Sequence, residues 1–248
     1  MAWQPSRRRE LVRWYQFVLA MVFLTRMPLE RLLPARVLPL AASSWAFPLV
    51  GAVVGAVASL PFLLPGPALL HAALSLALAV WFTGALHEDA LADFIDAAGG
   101  RDREERLRIM RDPAIGSFGV VALILTSLIR VAAISVLGPW HLVAAAACGR
   151  TSTVLTLGAM LPARPDGLGR AAGTPGARNV VMASLIAILC LLPVAGDGVF
   201  LALLAGLAAT GFTIWQARVW LGGHTGDVLG TASVLTETAM LAVFALSV

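Results

Sequence analysis

The sequence predicts an all-α, polytopic membrane bundle of about seven spans, preceded by an N-terminal interfacial or re-entrant helix. Three observations predict it. Of the 248 residues, 59% are hydrophobic and 13% charged, and the mean hydropathy is +0.85, beyond what a soluble domain needs to fill its core. Positions 37 to 86 carry no Asp, Glu, Lys or Arg, a run long enough for two helices of the ~20 apolar residues that cross a bilayer. The connections between apolar blocks also alternate between arginine-bearing and arginine-free, as the positive-inside rule expects of a chain that crosses repeatedly.

The first element is MAWQPSRRRELVRWYQFVLAMVFL, a basic start followed by an apolar stretch. It resembles a secretion signal, but TRMPLERLLPAR follows where a small-residue cleavage site would stand, so we expect it to be retained. Arg7, Arg8, Arg9 and Arg13 precede the stretch, and Arg26, Arg31 and Arg36 follow it. If both groups are cytoplasmic, residues 14 to 25 cannot cross once. They lie in the interface or dip and return, with Trp14 and Tyr15 suited to the headgroup layer.

Span-length apolar blocks follow at 44–64, 68–86, 114–137, 142–161, 180–195, 199–217 and 228–248. The connections 64–68, 138–141 and 195–198 lack arginine, whereas 26–36, 87–113, 162–179 and 218–227 carry it. The second set is therefore expected on the cytoplasmic face, and the count of spans puts all four on one side. GAVVG at 51–55 reads as a small-residue helix contact. Nothing marks a boundary, so residues 1–248 are expected to form one membrane-embedded domain.

Several classes drop out. All 18 basic residues are arginine, and none is interleaved with aromatics in a basic run, so a nucleic-acid partner is not expected. The expected partners are the lipid bilayer and small molecules; a homo-oligomer is compatible with the sequence. Cys148 and Cys190 lie in apolar blocks and suggest neither a disulfide framework nor a zinc site. His71 and His141 fall near the opposite ends of their spans from the acidic residues and receive no catalytic role.

The stretch GALHEDALADFIDAAGG holds Glu88, Asp89, Asp93 and Asp96 within nine positions. On a helix that continues the 68–86 block, Asp89, Asp93 and Asp96 fall at i, i+4 and i+7 on one face. Glu88 stands about 100° off that stripe. No basic residue occurs between Arg36 and Arg101, so the stripe has no local cation. A divalent metal answers that repulsion, and carboxylate oxygens with open positions suit Mg²⁺ shared with a phosphorylated substrate. Glu88, Asp89, Asp93 and Asp96 are the candidate ligands. The alternative is a solvated acidic turn ending a membrane helix.

Further charge surrounds it in sequence. Arg101, Arg103, Arg106, Arg108 and Arg111 follow Gly99 and Gly100, and Asp112 before Pro113 reads as the N-cap of the next span. LPARPDGLGRAAGTPGAR, with Arg164, Gly167 and Gly169, supplies the backbone N–H groups and guanidinium forks used in diphosphate recognition. LGGHTGDVLG places Gly226 and Asp227 at the start of the last span, Asp227 being read as a metal ligand or cap. Two arginines fall inside spans. Arg130 is expected to snorkel to the outer surface, whereas Arg150, near mid-span, needs an acidic partner within the bundle or an anionic substrate.

LHEDALADFIDAAGGRDREERLRIMRDPAIGSFGV resembles the signature of the cobalamin synthase family, the adenosylcobinamide-GDP ribazoletransferases. FLTRMPL, WAFPLVGAVVGA, ARPDGLG and GGHTGDVLG resemble further blocks of that family in the same order. Ala90 and Phe94 stand where Gly and Thr are commoner, His224 where an apolar residue is, and Val234 where a Glu often precedes the final LTE.

The resemblance implies an inner-membrane, Mg²⁺-dependent transferase. It would join adenosylcobinamide-GDP to α-ribazole or its 5′-phosphate and release GMP. It makes Glu88, Asp89, Asp93 and Asp96 metal ligands, with Asp89 or Asp93 accepting the hydroxyl proton. Arg101, Arg111, Gly167, Gly169, Gly226 and Asp227 match its other blocks and, with Arg150 and Arg164, are the candidate substrate contacts. A CDP-alcohol phosphatidyltransferase would do related chemistry, but its DG-x2-AR-x8-G-x3-D-x3-D motif is absent. A transporter would set its charges near the midplane of broken helices.

Overall fold

The computed structural model describes residues 5–34, 39–196 and 198–248. Arg36, and the side chains of Arg7, Arg8 and Arg9, lie outside the described set. The described residues are helical, without strands, and one isolated bridge joins Pro162 to His224.

The chain opens with α1 (Pro5–Leu24) and a short α2 (Leu40–Ser43), then α3 (Phe47–Ala58) and α4 (Ala68–Thr83). α5 (Leu86–Asp96) and α6 (Arg103–Ile109) precede the long α7 (Ser117–Ile134) and α8 (Pro139–Ala159). A small α9 (Gly167–Ala172) leads to α10 (Ala177–Leu191), α11 (Val199–Leu221) and α12 (Gly226–Leu246). Among the described residues, six helical segments are long and apolar enough to cross a membrane, and α4 with α5 forms a seventh if the pair counts as one broken span. Each of the seven expected blocks has its helix.

α8 and α12 are central and mostly buried, while α7, α10 and α11 turn most of their surface outward. Leu125 and Leu128 on α7, Leu185 and Leu189 on α10, and Leu204 and Phe212 on α11 are exposed, as side chains against lipid tails should be. The expected contact at GAVVG is present. Gly51 and Gly55 lie on the backbone of α8 at Ala146 and Val143 so closely that a Cβ on either would collide; van der Waals packing of this kind, rather than hydrophobic exclusion, holds helices together in lipid.

Two expectations change. The 68–86 helix does not run on through the acidic residues. It stops at Gly84 (φ 71°) and Ala85 (φ 58°), and α5 leaves at 89° to α4. Arg26 fixes the break by donating its backbone N–H to Phe82 O at 2.9 Å, and Ala85 is the one described non-glycine residue at positive φ, a conformation costing about 1 kcal/mol or more. Second, Asp112 does not cap the next span. Its carboxylate accepts from the Ala114 N–H in a local turn, and α7 starts at Ser117.

Candidate active site

The first turn of α7 is capped from another helix. Asp96, at the end of α5, accepts from Gly116 N–H at 2.7 Å and Gly119 N–H at 2.8 Å. Those amides would otherwise be unpaired, and a carboxylate at a helix N-terminus is favoured by the helix dipole as well. Any side chain on Gly116 or Gly119 would strike this carboxylate. Asp96 is therefore buried and engaged by protein donors.

Glu88 is also engaged. Arg130 donates Nη1 to Glu88 Oε1 at 2.9 Å and Nη2 to Glu237 Oε1 at 2.6 Å. Arg150 donates to the other Glu237 oxygen. Arg130 thus does not snorkel outward; its guanidinium is buried between two glutamates. Of the two partners open to Arg150, the internal carboxylate is the one found, which turns this arginine away from any cavity at the loops. An unpaired arginine at this depth would be costly, and the pairing removes that cost.

Asp89 and Asp93 are left. Asp89 is exposed and Asp93 half-buried, one helical turn apart, with no basic group bonded to either among the described residues. Asp227, in the first turn of α12, lies within electrostatic reach of both. The close passage of α5 over α12 brings them together: Gly230 lies against Ala90, and Thr231 Oγ1 donates to Ala90 O at 3.1 Å. Asp227 is not the cap of α12. That role belongs to Thr225, whose Oγ1 accepts from Val228 N–H and donates to Asp227 at 3.1 Å.

The loops close over the same end. Ala163 N–H donates to His224 O at 2.8 Å and His224 N–H to Leu161 O at 2.9 Å, tying the 160s segment to the start of α12. Arg103 donates to Leu221 O at 2.8 Å and Ala163 O at 2.6 Å, so α6 is fastened across both. Burial holds the His224 imidazole below its ordinary pKa, leaving it neutral near pH 7.

Two cavities adjoin at Arg164 and Asp166. One, of about 430 Å³, runs between α6 and the 160s loop and includes Arg103, Arg108, Arg111 and Arg164. The other, of about 110 Å³, is formed by Arg164, Gly167, Gly169, Gly226 and Asp227 with Thr225. Arg164 stands 3.9 Å from Asp227, and its Nε is buried with no hydrogen-bond partner among the described residues. Arg111 donates Nη2 to both carboxylate oxygens of Asp166, at 2.8 and 2.9 Å.

Six of the expected substrate contacts therefore gather here: Arg111, Arg164, Gly167, Gly169, Gly226 and Asp227. Arg101 is exposed and borders neither cavity. Arg103 escaped sequence reasoning because its pattern is that of its four neighbouring arginines. Among the described residues, no three His, Cys, Asp or Glu side chains stand ready-made around a metal position. The donor set of Asp89, Asp93 and Asp227 nonetheless has the chemistry of a Mg²⁺ site that is completed by water and substrate phosphates.

Fold and site together define a polytopic helical membrane protein with acidic, arginine-lined and glycine-rich segments sharing one end. A family model described as cobalamin-5-phosphate synthase matches residues 16–245. The adenosylcobinamide-GDP ribazoletransferase of Bradyrhizobium diazoefficiens is 38% identical over 241 residues, covering 92% of each chain. Its namesake in Azorhizobium caulinodans is 40% identical over 216 residues, 80% of this chain and 81% of its own, and that of Rhizobium meliloti 38% over 261, covering 97% and 98%. No solved structure matches. The chain belongs to the cobalamin-5-phosphate synthase family, whose members are transferases of cobalamin synthesis, and the resemblance read from its motifs is borne out.

Proposed function

We propose that the chain joins adenosylcobinamide-GDP to α-ribazole, or to α-ribazole 5′-phosphate, and releases GMP, at the cytoplasmic face of an inner membrane. The observation that carries the reading is the convergence of Asp89, Asp93 and Asp227 with Arg164 at one mouth of the bundle. Relatives sharing more than a third of their residues over most of their length carry the ribazoletransferase name.

The reaction is phosphoryl transfer, in which positioning and neutralisation of charge supply most of the acceleration. A ribazole hydroxyl oxygen forms a bond to the phosphorus carried by the cobinamide, and the phosphoanhydride bond to GMP breaks. The hydroxyl proton passes to Asp89 or Asp93, carboxylates that no cation among the described residues pairs with, and the bond electrons leave with GMP. Mg²⁺, when bound at Asp89, Asp93 and Asp227, would offset the negative charge of the diphosphate. Arg164 and Arg111 supply donors matched to phosphate oxygens, and the N–H groups around Gly167 and Gly226 add uncharged ones.

The test is product identity. Purified protein given Mg²⁺, adenosylcobinamide-GDP and either nucleoside form should yield adenosylcobalamin, or its 5′-phosphate, by mass spectrometry. Absence of both products from a folded, metal-replete preparation would refute the reading.

A further inference from the structure

Four charged side chains have no role in the reaction scheme proposed above. Glu88 on α5, Arg130 on α7, Glu237 on α12 and Arg150 on α8 form one chain of ion pairs across four helices. Their side chains are 16%, 6%, 10% and 4% exposed, so the whole chain is inside the protein. Two positive and two negative charges cancel. A neutral chain of this kind tolerates burial that none of its members tolerates alone.

Its position matters for α5. That helix has 11 residues and begins at a break with an 89° bend, so no straight span behind it fixes its rotation about its own axis. Each helix residue turns by about 100°, and a slip of one residue would put Glu88 or Ala90 where Asp89 belongs. Besides the packing of Ala90 on α12, two polar contacts oppose the slip. Glu88 is held by Arg130 at the start of the helix, and Asp96 by the Gly116 and Gly119 amides at its end. Both anchors are on α7. Asp89 and Asp93 lie between them, and their carboxylates have no ion-pair partner among the described residues.

We propose that Glu88, Arg130, Glu237 and Arg150 act as a positioning clamp that sets the register of α5, and that Glu88 belongs to this clamp and not to the metal. The metal half of the statement rests on the function proposed above. The four acidic residues of the motif then divide in two: Glu88 and Asp96 hold the helix, and Asp89 and Asp93 face the substrate. Glu88 Oε1 is taken by Arg130, and its second oxygen is buried without a hydrogen-bond partner among the described residues, whereas Asp89 is exposed.

A double-mutant cycle on the full chain in detergent tests this, with thermal midpoint, Mn²⁺ affinity by EPR, and kcat and KM as readouts. E88Q and R130Q should each lower the thermal midpoint and reduce kcat by about 10- to 100-fold, the range for residues that orient a metal's ligands. E88Q/R130Q leaves Glu237 with Arg150 and should be no worse than the poorer single variant. Mn²⁺ affinity of E88Q should stay within about tenfold of the unmutated chain, while D89N loses binding. R130K, which keeps the charge, should fold if R130Q does not and should retain more activity than R130Q.

The clamp is overturned if E88Q loses Mn²⁺ as D89N does with an unchanged thermal midpoint, or if the two single effects add in the double variant. Should the unmutated chain bind no Mn²⁺, the metal site fails, and coupling in the thermal midpoints still decides the clamp.

Discussion

Gly230 on α12 and Ala90 on α5 meet at a crossing with room for one Cβ and not two. The contact sets how near Asp227 can come to Asp93, because each acid is three residues from its crossing residue. Gly230→Ala should push the helices apart and cut kcat by about tenfold or more, since misplacement by about an ångström is costly in a positioned reaction. Ala90→Gly in the same chain should restore activity by moving the single Cβ across the interface. Steady-state kinetics of the three variants decide it; a double variant as poor as Gly230→Ala would mean that the crossing does not set the site.

Asp93→Asn and Asp89→Asn should each lower kcat by about 100-fold or more, the loss typical when a charge-stabilising group is removed from a preorganised site. Thermal midpoints should hold, because neither carboxylate is paired with a cation among the described residues. Activity that stays normal across a Mg²⁺ titration would remove these residues from the site.

Arg164→Ala should raise KM for the GDP-bearing substrate by about tenfold, with Arg164→Lys recovering only part of it. A lysine keeps the charge but not the fork that suits two phosphate oxygens. An unchanged KM would place the diphosphate elsewhere.

The proposed orientation has its own test. After Cys148 and Cys190 are replaced by alanine, single cysteines at Glu104 and Arg170, both exposed, should be labelled from the cytoplasmic side by an impermeant maleimide. A cysteine at Leu63, which is 80% exposed, should react from the other side. Opposite labelling of 104 and 170 would contradict a site shared by the α6 and 160s segments.

The spans were legible in the sequence because bilayer thickness dictates a long apolar run, and each run has its helix. So was the stripe of Asp89, Asp93 and Asp96, since it depends only on local helical spacing, which α5 preserves. The break at Ala85 was not. Alanine is a good helix former, and its left-handed φ follows that of Gly84 at a break where Phe82 O accepts from Arg26, 56 positions earlier.

The separation of the four acids was hidden for a related reason. Glu88 finds Arg130 at a distance of 42 residues and Asp96 finds Gly116 at 20, pairings no local pattern announces. Arg130 illustrates the point most directly. By position it belonged near the outer end of its span, yet Glu237 and Glu88 draw it inward.

The central claim is that this end of the bundle exchanges GMP for a ribazole on one phosphorus atom. Timed quantification of GMP against adenosylcobalamin, with Mg²⁺ as the varied component, tests it most directly. The account predicts that the two products rise together in a 1:1 ratio, that neither forms without α-ribazole or its phosphate, and that both vanish on chelation of the metal. GMP released without a cobalamin product, or formation of both at full rate under chelation, would contradict it.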